Sequence, residues 1–273
     1  RYSMEWMLNV VLFAVAVFMM YRVILLNGRN KKARAVIDIV NSVDDIQLFH
    51  EKTEAMINGK DHEFSVKAQV LKLWGMAYHN QYRNFDEVLD QTDVDALIGV
   101  KKGRTDIEQN EDTFFYLYLA IGNILEGNRR RDLRKKLDEK MMKYEDRLQN
   151  QFVCQLHHAV TDFYDHKGDR GMTFFRAVLD GDYGQYRYSK SLIGLYKSIA
   201  VSHLAVLYKE DGKMDQFEEC IPYVENFMEY GVGKRWLKTL KLTLPKKEEK
   251  TEESDKETFT ITSQSAEKAK KAE

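Results

Sequence analysis

Three side chains that could bind a metal recur at one spacing: His158, Asp162 and His166 follow one another at intervals of four residues. On a helix this spacing places all three on one face, and zinc accepts imidazole and carboxylate ligands. The HExxH motif of zinc enzymes is absent, and His/Asp pairs at this spacing often arise by chance. We therefore predict no metal site and no cofactor.

Other sequence signals also favour a protein that is not an enzyme. The chain contains no GxxxxGK[ST], GxGxxG or GxSxG motif. Cys154 and Cys220 form no CxxC pair and are expected to be buried, reduced thiols. Because catalytic carboxylates can converge in three dimensions without a sequence motif, a membrane-associated enzyme or enzyme subunit is kept as an alternative.

The densest positive charge lies between Arg129 and Lys136. A second alternative is therefore a module that binds anionic lipid or, less favoured, nucleic acid. The residues of this basic patch are Arg129, Arg130, Arg131, Arg134, Lys135 and Lys136. Acidic residues such as Asp138 and Glu139 follow at once, so a solvated helix with internal ion pairs explains the run equally simply. The whole chain balances 42 basic against 43 acidic residues, which excludes a globally basic nucleic-acid binder.

Composition favours helices. The 273 residues are 44% hydrophobic and 31% charged, and they include only 2 prolines and 15 glycines, fewer turn residues than an all-β fold normally uses. Apolar residues recur at helical spacing throughout the central part of the chain. We predict an all-α fold.

A run from Trp6 to Leu26 predicts a transmembrane helix, because about twenty apolar residues span a bilayer core. A cleaved signal peptide would need a basic start and a small-residue exit, but Glu5 directly precedes this run and Leu25-Leu26-Asn27-Gly28 is a poor match to such an exit. Basic residues follow the run at Arg29, Lys31, Lys32 and Arg34. The positive-inside rule then predicts a cell-membrane protein with its N-terminus outside and its C-terminal domain in the cytoplasm.

The chain divides into three predicted parts. Residues 1–28 form the anchor, residues 29–244 form a helical domain, and residues 245–273 form a charged, disordered tail. Within the domain we expect a short helix around Val36 to Val40, separate from the anchor. Further helices are expected at about 46–57, 63–82 and 112–127, then a charged helix that runs to about 148, and helices at about 151–166, 171–179, 189–209, 214–230 and 233–242. The segment from Phe114 to Leu125 is expected to be a buried helix, since it is too short to cross a membrane.

One helix pair resembles a tetratricopeptide repeat. Its pattern combines a large residue, a small residue, an aromatic residue, a turn glycine and a second helix, at Leu204, Ala205, Tyr208, Gly212, Met214 and Phe217. Weaker echoes occur around Trp74, Gly75 and Tyr78 and around Val160, Tyr164 and Gly168. A helical bundle without true repeats is the alternative architecture.

The resemblance implies a groove that binds a protein or peptide partner. Carried over to this chain, the groove residues are Gln69, Lys72, Met76, His79, Gln155, His158, Asp162, Asp165, Ile199, Ser202, Val206 and Lys209. The predicted function is a membrane-anchored scaffold or adaptor that presents this groove at the cytoplasmic face.

Overall fold

The structure is a computed structural model that describes residues 2–93 and 131–244, apart from 143, 189 and 191. Over these ranges the fold is all-α, as predicted, without a β-strand. The predicted helix at 112–127, with its buried segment from Phe114 to Leu125, and the predicted tail at 245–273 lie outside the described residues. The described helices are α1 (Tyr2–Asn41), α2 (Ile46–Ile57), α3 (His62–Tyr78), α4 (Phe85–Gln91), α5 (Arg131–Met142), α6 (Glu145–Leu148), α7 (Phe152–Tyr164), α8 (Met172–Leu179), α9 (Ile193–Glu210), α10 (Met214–Met228) and α11 (Gly231–Thr239).

Helix α1 is long and apolar enough to cross a membrane, the one such helix in the described part of the chain. Its large apolar side chains from Val10 to Leu26 are exposed. Soluble proteins rarely leave so large a continuous apolar surface open to water, so this part of α1 is suited to lipid or to another protein.

The same helix continues without a break past Gly28 to Asn41, where we had expected a separate short helix. Glycine lowers helix stability by only about 1 kcal/mol relative to alanine, and no proline stands nearby to interrupt the backbone. Before Gly28 the large apolar side chains from Val10 to Leu26 are exposed, whereas beyond Gly28 one face of the helix is buried. The buried residues of this face are Ala33, Val36, Ile39 and Val40.

Helices α2 and α3 form an antiparallel pair beside the end of α1. Each begins at an aspartate cap: the Asp45 carboxylate accepts from the Leu48 N–H at 3.0 Å, and that of Asp61 accepts from the Phe64 N–H at 3.2 Å. Helix α3 ends at Tyr78, four residues before the predicted end. Asn80 and Asn84 then adopt positive φ values of 57° and 60°, which turns the chain into α4.

Helix α9 lies at the centre of the C-terminal half and packs against α7, α8 and α10. Nearly every side chain from Leu195 to Tyr208 is buried. Ala205 is fully buried, and the turn to α10 contains Gly212 at φ 70°, which agrees with the predicted helix–turn–helix unit. Burial on all sides is the feature of α9 that the repeat pattern did not predict.

Helix α11 returns the chain to the end of α1. The Gly231 N–H donates to Oδ1 of Asn41 at 2.8 Å, and a Cβ at Gly231 would lie 2.5 Å from the Asn41 carbonyl oxygen. The Arg235 guanidinium lies over the Tyr78 ring, 4.3 Å from its centroid, and donates to the Tyr78 carbonyl. The Tyr78 hydroxyl in turn donates to Asp44 at 2.7 Å. The first and last described helices are thus joined at one end of the domain.

Candidate functional site

One face of α7 forms the floor of a surface cleft. Gln155, His158, Ala159 and Asp162 lie at helical spacings of three and four residues, so their side chains share that face. The opposite face of α7 is buried through residues such as Leu156 and Phe163, which fixes the helix on the core.

Helix α8 forms one wall, and Gly171 sets its distance from α7. Gly171 has φ 73°, and a Cβ there would lie 2.5 Å from the Ala159 carbonyl oxygen, so the chain enters α8 directly against the α7 backbone. The Asp169 carboxylate caps α8 by accepting from the Thr173 N–H at 3.4 Å and the Thr173 hydroxyl at 3.2 Å.

The loop after α8 forms the other wall and is held at both ends. The Asp182 N–H donates to the Ala177 carbonyl at 2.8 Å, and the Asp182 carboxylate accepts from the Gly184 N–H at 2.9 Å. At the far end, the Arg187 carbonyl accepts from the Phe152 N–H at 2.8 Å. Two half-buried tyrosines stand between these anchors. The Tyr183 ring packs against Phe152 and the Tyr186 ring against Phe174, with centroid distances of 5.5 and 6.0 Å.

Together these elements enclose a cleft of about 410 Å³, within the range of small-ligand sites. Its wall combines aromatic rings, small residues and carboxylates. The lining residues are Gln155, His158, Ala159, Asp162, Asp169, Gly171, Thr173, Phe174, Ala177, Asp182, Tyr183, Gly184 and Tyr186.

A cysteine–histidine pair lies at the edge of this cleft. The Cys154 Sγ atom is 3.5 Å from Nε2 of His158. Burial, together with the nearby acidic groups of Glu145 and Asp138, raises the pKa of the Cys154 thiol to about 12. Burial, helped by neighbouring His157, lowers the pKa of His158. The pair is therefore a neutral thiol and a neutral imidazole near pH 7, which does not provide the thiolate that nucleophilic catalysis needs.

Sequence reasoning treated Cys154 as a buried thiol, and its 3% exposure agrees with that interpretation. It missed the contact with His158 and the loop tyrosines. The contact between Cys154 and His158 could have been inferred from their Cys-x-x-x-His spacing, which is one helical turn. Tyr183 and Tyr186 had no such signal, because only the fold of the loop brings them to α7.

The three residues considered for a metal do not stay on one helical face. Helix α7 ends at Tyr164, and His166 lies beyond it at φ 54°. The Asp162 carboxylate accepts from the Lys167 ammonium at 2.6 Å. Among the described residues, no group of three or more histidines, cysteines and acids is placed to hold a metal ion.

The proposed groove residues are divided by the fold. Gln155, His158 and Asp162 line the cleft, whereas Asp165 forms an ion pair with Arg134 at 3.1 Å. The four residues on α3 and at its end, Gln69, Lys72, Met76 and His79, are half-buried and do not line the cleft. Lys72 forms an ion pair with Glu54 at 2.8 Å, and burial lowers the pKa of His79.

The assignment of three α9 residues to an open groove was wrong. Ile199 and Ser202 are fully buried and Val206 is 9% exposed, because α7 and α8 cover the face of α9 that the repeat resemblance left open. Only Lys209 of that set is exposed.

The basic run is largely ion-paired where it is described. Arg129 and Arg130 lie outside the described residues, and Arg131 is exposed. Arg134 pairs with Asp165, Lys135 with Glu139 at 3.7 Å, and Lys136 with Asp86 at 2.8 Å. The described part of the run therefore has the character of a solvated, ion-paired helix.

No protein-family model, curated protein or solved structure matches this chain.

Proposed function

We propose that this protein is a membrane-anchored adaptor that binds a segment of a partner protein in the cleft between α7 and α8. The cleft itself carries the proposal. It is preformed by backbone contacts at Gly171 and at both ends of the loop, and it offers both aromatic surface and polar groups. Sites of this composition are typical of small ligands and of peptide side chains.

The exposed apolar part of α1 supports the anchoring half of the proposal. The apolar stretch of α1 ends near Leu26, and the basic residues Arg29, Lys31, Lys32 and Arg34 follow it, which favours a span with the helical domain in the cytoplasm. An adaptor in this position would hold its partner at the inner surface of the cell membrane.

The resemblance to tetratricopeptide repeats supports a protein partner. It does not support a groove on α9, where the sequence had placed part of the binding surface. Ala205 and Gly212 occupy the positions expected in the α9–α10 pair. Because α9 is covered, we propose that the partner contacts α7 instead, through Gln155, His158 and Asp162.

Site-specific photo-crosslinking in intact membranes tests this proposal. A photoreactive amino acid at position 155 should give discrete adducts with a partner, and Tyr183→Ala should abolish them. The same probe at Glu219, an exposed residue that does not line the cleft, is the matched control. Equal adducts from both positions, or none from position 155, would contradict binding in the cleft.

A further inference from the structure

We propose that the segment bound in the cleft carries a lysine or arginine side chain, whose cationic head lies between Asp169, Asp182 and the two loop tyrosines. This inference rests on the proposed function and specifies the chemistry of its partner. It follows from the charge of the lining, from the rings and from the dimensions of the cleft.

The charge of the lining is negative. Asp162, Asp169 and Asp182 line the cleft, and none of the described lining residues is a lysine or an arginine. Asp169 and Asp182 accept hydrogen bonds only from neutral donors in the described contacts, a hydroxyl and backbone N–H groups, so these bonds leave the carboxylate charge in place. The ion pair with Lys167 balances Asp162 alone.

Negative charge extends beyond the lining at the α7 end. The carboxylates of Glu145 and Asp138 act on both Cys154 and His158. Because His158 is neutral near pH 7, it adds no positive charge that would offset them. A cation is therefore attracted both at the rim of the cleft and at its wall.

The rings favour the same occupant. Tyr183 and Tyr186 are half-buried and are held by contacts with Phe152 and Phe174, so they form a fixed surface with accessible ring area. An ammonium or guanidinium group is attracted to the face of such a ring, and its aliphatic stem can pack on neighbouring apolar atoms such as those of Ala177.

Other occupants fit less well. A phosphate or an acidic peptide would meet three carboxylates, and a purely apolar segment would remove those carboxylates from water without pairing them. A cleft of about 410 Å³ accepts one or two long side chains, whereas a whole helix would need a longer groove. A basic side chain on an extended segment satisfies both the charge and the size.

The test uses the full-length protein in nanodiscs of neutral lipid, so that a basic probe does not bind the membrane. The probes are three fluorescent nonapeptides of the form (Gly-X-Ala)₃, with lysine, norleucine or glutamate at X. We expect the lysine peptide to bind at least tenfold more tightly than the norleucine peptide, and its affinity to fall as salt is raised.

The double variant Asp169→Asn/Asp182→Asn should lower affinity for the lysine peptide at least tenfold. Asparagine keeps the capping and turn hydrogen bonds, so the fold is preserved while the charge is removed. Glu218→Gln/Glu219→Gln, on the exposed surface of α10, removes the same charge elsewhere and should change affinity less than twofold. Equal losses in both double variants, or equal binding of the lysine and norleucine peptides, would overturn the inference.

The outcomes separate this inference from the proposed function. Norleucine or glutamate peptides that crosslink to position 155 would overturn the basic occupant while leaving a peptide-binding cleft. Absence of crosslinks at position 155, both with the peptides and in membranes, would overturn the adaptor function itself.

Discussion

His203 occupies the most enclosed position of any described histidine in the core. Its side chain is fully buried, and its Nδ1 lies 2.7 Å from the Ile199 carbonyl, whereas its Nε2 has no hydrogen-bond partner among the described residues. Burial lowers the pKa of His203 to about 4, although its hydrogen bond to Ile199 opposes the shift. Aromatic rings surround it at centroid distances of 4.9 to 5.7 Å: Phe163, Tyr164, Phe175 and Trp236.

This environment predicts loss of stability in mild acid. The unfolded chain binds a proton at His203 as pH falls below 6.5, but the folded protein does so only near pH 4, so acid favours the unfolded state across that window. We expect the free energy of unfolding to fall by about 2 kcal/mol from this residue between pH 7.5 and pH 4.5. Urea denaturation at both pH values measures the change.

His203→Phe should reduce this pH dependence, because phenylalanine has no proton to bind and suits a cage of rings. His50→Gln, at an exposed position outside the cleft, is the control and should leave most of the dependence intact. An unchanged pH dependence in His203→Phe would show that His203 is not the group responsible.

Residue-level inference from the sequence succeeded where local spacing determines the environment. Gly212 was expected as a turn glycine and Cys154 as a buried thiol, and both are found so. The rings around His203 come from three other helices, α7, α8 and α11, and no spacing around residue 203 encodes them.

Among the elements, the contact between α7 and α8 depends most directly on one glycine. Gly171→Ala should lower the free energy of unfolding by about 3 kcal/mol for two reasons. Alanine is strained at this positive φ, and its Cβ would clash with the Ala159 backbone. The substitution should also weaken the binding of any ligand in the cleft, since α7 and α8 must move apart. Chemical denaturation and peptide binding measure the two effects.

Gly181→Ala is the matched control for this prediction. Gly181 has φ 77°, close to that of Gly171, but a Cβ there would have no atom within 4 Å. Gly181→Ala should therefore lower the free energy of unfolding only by the backbone strain, about 1 kcal/mol. Equal destabilisation by the two substitutions would mean that the contact with Ala159 contributes nothing.

Helix positions were largely predictable, and helix surroundings were not. The predicted segments at 46–57, 171–179 and 214–230 correspond closely to α2, α8 and α10 because caps and apolar periods mark them. A repeat pattern indicates which residues of α9 touch α10, but it cannot indicate that α7 and α8 cover the remaining face. That is why Ile199, Ser202 and Val206 were assigned to a groove.

At the scale of the whole molecule, the exposed apolar part of α1 predicts resistance to extraction. The full-length protein should remain with membranes through high salt and alkaline washing, because removing the Val10–Leu26 surface from lipid would expose it to water. Protease added from the cytoplasmic side should digest the helical domain, whereas protease added outside should not.

A variant lacking residues 1–28 is the control and should be recovered in the soluble fraction. Release of the full-length protein by alkaline wash would show that α1 does not span the membrane. Digestion from outside would show that the orientation inferred from the basic residues is reversed.

Composition and the order of apolar residues were sufficient to predict an all-α molecule with an apolar N-terminal helix. The cleft could not be predicted in the same way, because it is built from three elements: α7, α8, whose approach to α7 depends on Gly171, and the loop after α8, which turns at Gly184. Its position became visible only when these elements were placed together.

The unbroken course of α1 has a consequence for direction. Each residue of a helix turns the chain by about 100° and advances it by about 1.5 Å. Because α1 joins the apolar segment to the residues that pack on α2 and α11, in the proposed membrane-anchored arrangement the number of residues between Leu26 and Ala33 determines the direction within the membrane plane that the cleft faces. One residue more or fewer in this stretch would turn the cleft through more than a quarter of a circle while barely changing its height. For a protein that meets membrane-bound neighbours, the length of this stretch therefore selects the side from which a partner can approach.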